Sequence, residues 1–254
     1  MLSAIALTMF LQTDNPIAGK KLVFSDEFAN KGPVDTRKWH FDDGAVYNNE
    51  LQDYTGPKVG NAFLQNKRLV IEARKTNGVI TSARLTSRSA WKYGYFEAKM
   101  KVPAGRGTWP AFWMLGDSLR QSGQAFREWP LCGEIDIMEF VGFDPTKFHF
   151  SLHTQNFNHM IGTQITHNVT RADAVLVDHV FGVDWSKDWI RFYVDGMRVF
   201  EKNKISSDPR DWPFDAPFYM ILNLAIGGMW GGQQGVDDAI FPSRFSVDYV
   251  RVYQ

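Results

Sequence analysis

The sequence predicts an all-β fold, an antiparallel β-sandwich of the jelly-roll kind whose concave face forms a substrate cleft. Three observations predict it. Short alternating or β-rich runs recur from end to end, turn residues separate them, and helical periodicity is nearly absent. The runs are Lys21–Phe24, Arg68–Ala73, Tyr93–Val102, Glu134–Phe140, His149–His153, His179–Trp185, Trp189–Val194, Phe218–Ala225 and Ser246–Tyr253. Asp195-Gly196 is the clearest turn and predicts a tight hairpin joining Trp189–Val194 to Arg198–Phe200. Only Asp35–Lys38 and a short stretch near Ser243 offer a turn or two of helix.

With 254 residues and no linker, repeat or low-complexity stretch, the chain reads as one domain over 21–254 preceded by an extension over 1–20. The apolar run Met1–Leu11 has the length of a secretory signal, without a basic residue ahead of it or a small-residue cleavage site. It reads as a signal remnant or a first strand, and a secreted or periplasmic location is expected. No run is long enough to span a membrane as a helix. Lys plus Arg and Asp plus Glu are both 28, so no charged field invites nucleic acid, and a neutral ligand fits better. The lone Cys132 excludes an internal disulfide. A monomer is expected.

The most informative stretch is Gly133-Glu134-Ile135-Asp136-Ile137-Met138-Glu139. Ionised carboxylates are costly in an apolar strand unless it lines a solvated cleft. Residues two apart share a strand face, which aligns Glu134 with Asp136. Glu139, five positions after Glu134, joins them only through a β-bulge at Ile137 or Met138, with Met138 the preferred occupant. Three acids crowded on one face must separate their protonation, which is the condition for acid/base chemistry. A solvent-exposed strand edge would carry the same charges, but the apolar flanks and nearby aromatics argue against it.

Nine tryptophans, many near turns and polar residues, suit the C–H faces of sugars. Trp109 and Trp113 lie four apart, share a strand face just after a glycine-rich turn, and precede the acids closely; Trp129 is a third platform. The segment Tyr47–Tyr54 concentrates amides, acids and tyrosines able to bond sugar hydroxyls. His153 and His159 flank further amides, but no carboxylate or third histidine stands at a zinc-like spacing, so His153 is assigned to tuning the acids. Four glycines surround Trp230, as in a loop that lets backbone approach a ligand or in a tight sheet-edge turn.

In order along the chain, Phe24–Phe28, Asn48–Gln52, Thr81–Leu85, Gly107–Leu115, Gly133–Glu139, Asn158-His159 with Gly162–Gln164, Asn223–Trp230 and Val247–Tyr253 resemble the motifs of glycoside hydrolase family 16, in its bacterial laminarinase-like branch. That resemblance implies retaining, endo-acting hydrolysis of β-1,3-glucan, extending to mixed β-1,3/1,4 chains, without a catalytic cofactor. It implies Glu134 as nucleophile, Glu139 as acid/base and Asp136 between them, with Asn49, Arg84, Trp109, Trp113, Trp129 and His153 lining the subsites. It also implies a structural calcium on backbone oxygens of Glu27 and Lys67 with Asp248. Lys67 stands where glycine is usual, Tyr47 where relatives often have Gly-Trp-Gly, and Phe140 where His or Tyr is frequent. The loop over Asp42–Val46 looks short, which would open the non-reducing-end subsites. An agarase or carrageenase, a transglycosylase and a non-catalytic glucan-binding protein on the same scaffold remain alternatives.

Overall fold

The computed structural model describes residues 15–45, 47–121 and 128–254. The signal-like segment Met1–Leu11 lies outside them, as does Val46 at the end of the short loop. The chain forms β1 (Leu22–Asp26), β2 (Trp39–Phe41), β3 (Asp53–Tyr54), β4 (Ala62–Gln65), β5 (Arg68–Thr76) and β6 (Val79–Ser82). It continues through β7 (Arg84–Ser87), β8 (Gly94–Lys101), β9 (Thr108–Gly116), β10 (Glu134–Glu139), β11 (Lys147–His153) and β12 (Ile165–Thr170). The last strands are β13 (His179–Trp185), β14 (Trp189–Val194), β15 (Met197–Asn203), β16 (Phe218–Ile226) and β17 (Ser243–Tyr253).

These strands make two sheets. One has ten strands along β15-β14-β13-β8-β17-β5-β6-β3, with β1 on β17 and β4 on β5; the other has seven, in the order β12-β11-β10-β9-β16-β7-β2. All pairings are antiparallel except the short one between β3 and β6. The sheets stack through alternate apolar side chains, as two half-buried layers must. Phe148 of β11 meets Phe181 of β13 edge-on at 4.7 Å, and Phe218 of β16 meets Trp185 of β13 at 5.2 Å. Cys132 is buried and free, so apolar burial carries the fold.

The expected hairpin is present. Val194 pairs with Met197 across Asp195 (φ 50°) and Gly196 (φ 78°), the left-handed pair that a two-residue turn needs. The helix expectation at Asp35–Lys38 fails, and the one near Ser243 is met only by a single 3₁₀ turn at Asp238–Ile240. Asp35–Lys38 is a turn closed by Lys38 N–H on the Asp35 carbonyl, and Ser243 begins β17, which pairs with β5 through Ser243 and Ala73. Among the described residues the only helices are 3₁₀ turns at Asp117–Arg120, His159–Ile161 and Asp238–Ile240. None is long and apolar enough to cross a membrane.

Candidate active site

The acids lie on β10, between β9 and β11, inside the seven-stranded sheet. The bulge is real, but its occupant differs from the expectation of Met138. Asp136 pairs with Trp113 and Met138 with the next residue, Phe112, so Ile137 is the residue without a partner on β9. Toward β11 the ladder steps from Asp136–Ser151 to Glu139–His149, leaving Phe150 to face both Ile137 and Met138. Both Ile137 and Met138 turn into the core, each 0% exposed. Alternation then resumes one residue late, which returns Glu139 to the face of Glu134 and Asp136.

Each glutamate is held by an indole. Trp129 Nε1–H donates to Glu134 Oε2 at 2.8 Å, and Trp109 Nε1–H donates to Glu139 Oε1 at 3.1 Å. Trp109 and Trp113 share the cleft face, as their spacing predicts, while Phe112 between them is fully buried. His153 is buried, its Nε2 3.2 Å from Asp136 Oδ2 and 3.6 Å from Glu134 Oε1, so a proton there faces both carboxylates. The structure thus places it beside the acids.

Electrostatics separates the three acids from ordinary carboxylates. Burial first, and then the charge of Asp136, push Glu134 up to about 8, while His153 and the Trp129 N–H pull it back. Burial and the charge of Glu139 hold Asp136 well above the usual range. Burial pushes Glu139 up to about 7 against the pull of His153. At neutral pH the trio therefore retains protons and releases them as an interacting set. Proton donor and carboxylate can coexist on one strand face.

The flanking elements extend this site across the sheet. On β16, Asn223 Oδ1 accepts from Trp113 Nε1 at 2.7 Å, and its amide donates to Tyr54 OH, which donates to Glu50. On β7, Arg84 is buried rather than lining an open wall: its guanidinium lies 4.2 Å from the Tyr47 ring centre and 4.7 Å from that of Trp113, with Nε donating to Asp42. Arg84 also borders a hollow of about 410 Å³ with His40, Thr86, Arg120 and Tyr219. Asn49 is exposed, in the left-handed region at φ 55°, and borders a second hollow of about 380 Å³ with Leu51, Gly227 and Gly228. Sequence reasoning did not assign Asn223, Tyr54, Asp42, Trp230 or His149 to the site. Asn223, Tyr54 and Trp230 stood in polar or glycine-rich stretches already noted, but nothing in the spacing joined them to the acids.

Glu134, Asp136 and His153 also offer ligand atoms all within 4.8 Å of one another, dimensions that would admit a metal ion. The carboxylates missing from the sequence spacing around His153 are thus supplied by the fold. Glu27, Lys67 and Asp248 fall on the other sheet. Asp248 is the extra residue of a bulge in β17, since Met100 pairs with Val247 and Lys99 with Tyr249. The ladder pairs Asp26 with Val250 on one side of that bulge and Leu69 with Val247 on the other, placing Glu27 and Lys67 beside it. Lys67 sits at φ 59° in the β4–β5 turn, where glycine would be relaxed.

A family model, Glycosyl hydrolases family 16, matches residues 50–251. The chain belongs to glycosyl hydrolase family 16. This family 16 chain is 46% identical over 247 residues to a beta-glucanase of Rhodothermus marinus, covering 92% of this chain and 85% of the relative. A solved laminarinase from Rhodothermus marinus superposes with a TM-score of 0.86 at 43% identity, over 92% of this chain and 97% of that one. SCLam, a non-specific endo-beta-1,3(4)-glucanase, superposes with a TM-score of 0.84 at 43% identity, over 92% and 91%. The stacked sheets are thus the jelly roll of this family.

Proposed function

We infer that this family 16 hydrolase cleaves β-1,3-glucan chains internally with retention of anomeric configuration, and that it accepts mixed β-1,3/1,4 chains. The observation that carries the reading is the bulge at Ile137, which sets Glu134 and Glu139 on one face, each under an indole N–H. Glu134 attacks the anomeric carbon to form a glycosyl ester, while Glu139 gives its proton to the leaving oxygen. Water then attacks the ester, and Glu139 takes its proton. Asp136, deep beside them and held well above the usual carboxylate range, shares the protons of the set, with His153 beside it and Glu134. No cofactor takes part in these steps. Exposed Tyr47 and Asn49 toward one side of the cleft, and exposed Thr166 and Asn168 toward the other, suit a chain passing through rather than a closed pocket.

Time courses on laminarin, lichenan, agarose and carrageenan test the substrate, with NMR of the first products testing the anomer. Oligosaccharides of several lengths from laminarin, first released as the β-anomer, are expected. Slow release of glucose alone overturns the endo reading, and activity on agarose alone overturns the β-glucan one. Glu134→Ser should abolish turnover and preserve glucan binding.

The bulge at Asp248 supports a structural calcium. The carbonyls of Glu27 and Lys67 with the Asp248 carboxylate form a hard-oxygen set suited to that ion. Lys99 Nζ, now 3.1 Å from Asp248 Oδ2, would give way to it. A polymeric substrate favours secretion or a periplasmic location, and the site is built from one chain, as a monomer requires.

A further inference from the structure

Glu139 lies at the end of a file of edge-on rings. Its carboxylate takes the Trp109 N–H at 3.1 Å; the Trp109 ring meets Trp230 at 5.6 Å and 77°, and Trp230 meets His149 at 4.8 Å and 79°. His149 is also the ladder partner of Glu139, so the file closes on the strand pair that carries the acid. The loop bearing Trp230 is pressed onto Trp109 by its own backbone. A Cβ on Gly231 would lie 2.9 Å from the Trp109 Cβ and 2.6 Å from the Gly227 carbonyl, and one on Gly228 would lie 3.4 Å from the Trp109 ring. Gly227 N–H donates to the Gly107 carbonyl and Met229 N–H to that of Asn48, tying the loop to the chain just before Trp109 and to the Asn48 segment.

We propose that Trp230 is a positioning residue for proton transfer, acting through Trp109 to hold Glu139 against the leaving oxygen. This rests on the hydrolase reading with Glu139 as the acid. Trp109 can rotate about its side-chain bonds, and its N–H must point at one oxygen to be useful. Trp230 against one edge of the indole, with the glycine loop behind it, leaves a single orientation. Loss of that support misplaces the proton donor without touching the nucleophile, which Trp129 holds independently.

The step at stake is glycosylation: the Glu134 oxygen bonds to the anomeric carbon, the glycosidic C–O bond breaks, and the Glu139 proton goes to the departing oxygen. A sugar alkoxide needs that proton, whereas a dinitrophenolate leaves without it. The experiment compares kcat/KM, which reports glycosylation, on laminarihexaose and on 2,4-dinitrophenyl β-laminaribioside. For Trp230→Ala the expected fall is about tenfold or more on the hexaose and less than about twofold on the aryl glycoside, on the order of what a misaligned general acid forfeits. Trp230→Phe, which keeps a ring edge, should recover most of the loss. Trp230→Leu serves if the alanine variant fails to fold and should show the same split. Adding Trp230→Ala to Trp109→Phe should lower the hexaose rate little further, because both act through one hydrogen bond. Equal falls on the two substrates, or a raised KM at unchanged kcat, would assign Trp230 to a sugar subsite and overturn the inference alone. A wild-type chain inactive on both substrates would overturn the hydrolase reading and this inference with it.

Discussion

Deleting Ile137 should leave a working enzyme. With Ile137 gone, the pairings Asp136–Trp113, Met138–Phe112 and Glu139–Ala111 become consecutive, and on the other side Met138 falls opposite Phe150. The strand regains strict alternation with Ile135 and Met138 inward and all three acids outward. The loss is one isoleucine with 0% exposure, about 2–5 kcal/mol for a buried aliphatic side chain. In a domain of this size that lowers Tm by roughly 4–20 °C. Straightening the strand moves Glu139 by a fraction of a residue rise, and displacement on that scale lowers kcat by up to about a hundredfold. Deleting Ile135, equally buried, instead puts Glu134 and Asp136 on opposite faces and should leave no measurable turnover. The assay is reducing-sugar release from laminarin alongside thermal unfolding. A folded Ile137 deletion as inactive as Glu134→Ser would falsify the register argument, because the acids would then need the bulge itself and not merely a shared face.

Three further outcomes follow from separate parts of the molecule. Burial raises Glu134 and Glu139 and the charge of His153 pulls both down, so His153→Gln should raise both, and both limbs of a kcat/KM profile, which belong to the interacting acids together, should move to higher pH. A shift to lower pH would contradict the assigned influence of His153. Gly142→Ala would place a Cβ 1.8 Å from the Gly105 carbonyl and 2.5 Å from Thr108 Oγ1, so urea unfolding should show a loss of about 3 kcal/mol or more, and a neutral result would mean that this backbone contact is slack. EDTA should lower Tm and added calcium restore it, with Asp248→Ala insensitive to both; an identical response in the variant would place the ion elsewhere.

The acidic motif was legible because a strand permits only two faces. The five-residue step from Glu134 to Glu139 forced a bulge on any reading that joined them, and the four-residue step from Trp109 to Trp113 fixed their common side. The choice between Ile137 and Met138 was not legible: both are apolar and both end in the core, and the neighbouring ladder with Phe112 decides it. β12 escaped notice because most of Ile165–Thr170 is polar and exposed, without an apolar alternation. Near Ser243 a helical turn does form, at Asp238–Ile240, but Ser243 itself is strand because it pairs with β5. The burial of Arg84 between Tyr47 and Trp113 was not legible, because it depends on rings 37 and 29 residues away meeting across the sheet. The file from Glu139 through Trp230 to His149 likewise joins residues that no local spacing relates.

The three cleft indoles have one further property in common. Trp129, Trp109 and Trp113 have each turned their N–H inward, to Glu134, Glu139 and Asn223. An indole has one donor, so none of the three has a polar group left for a bound sugar. A carbohydrate lying along these walls would meet them as carbon against carbon, and they would read the curvature of the chain and not the pattern of its hydroxyls. A surface that senses shape in this way accepts any glucan able to follow the bend, and it leaves discrimination among sugar epimers to the amides and carboxylates around it.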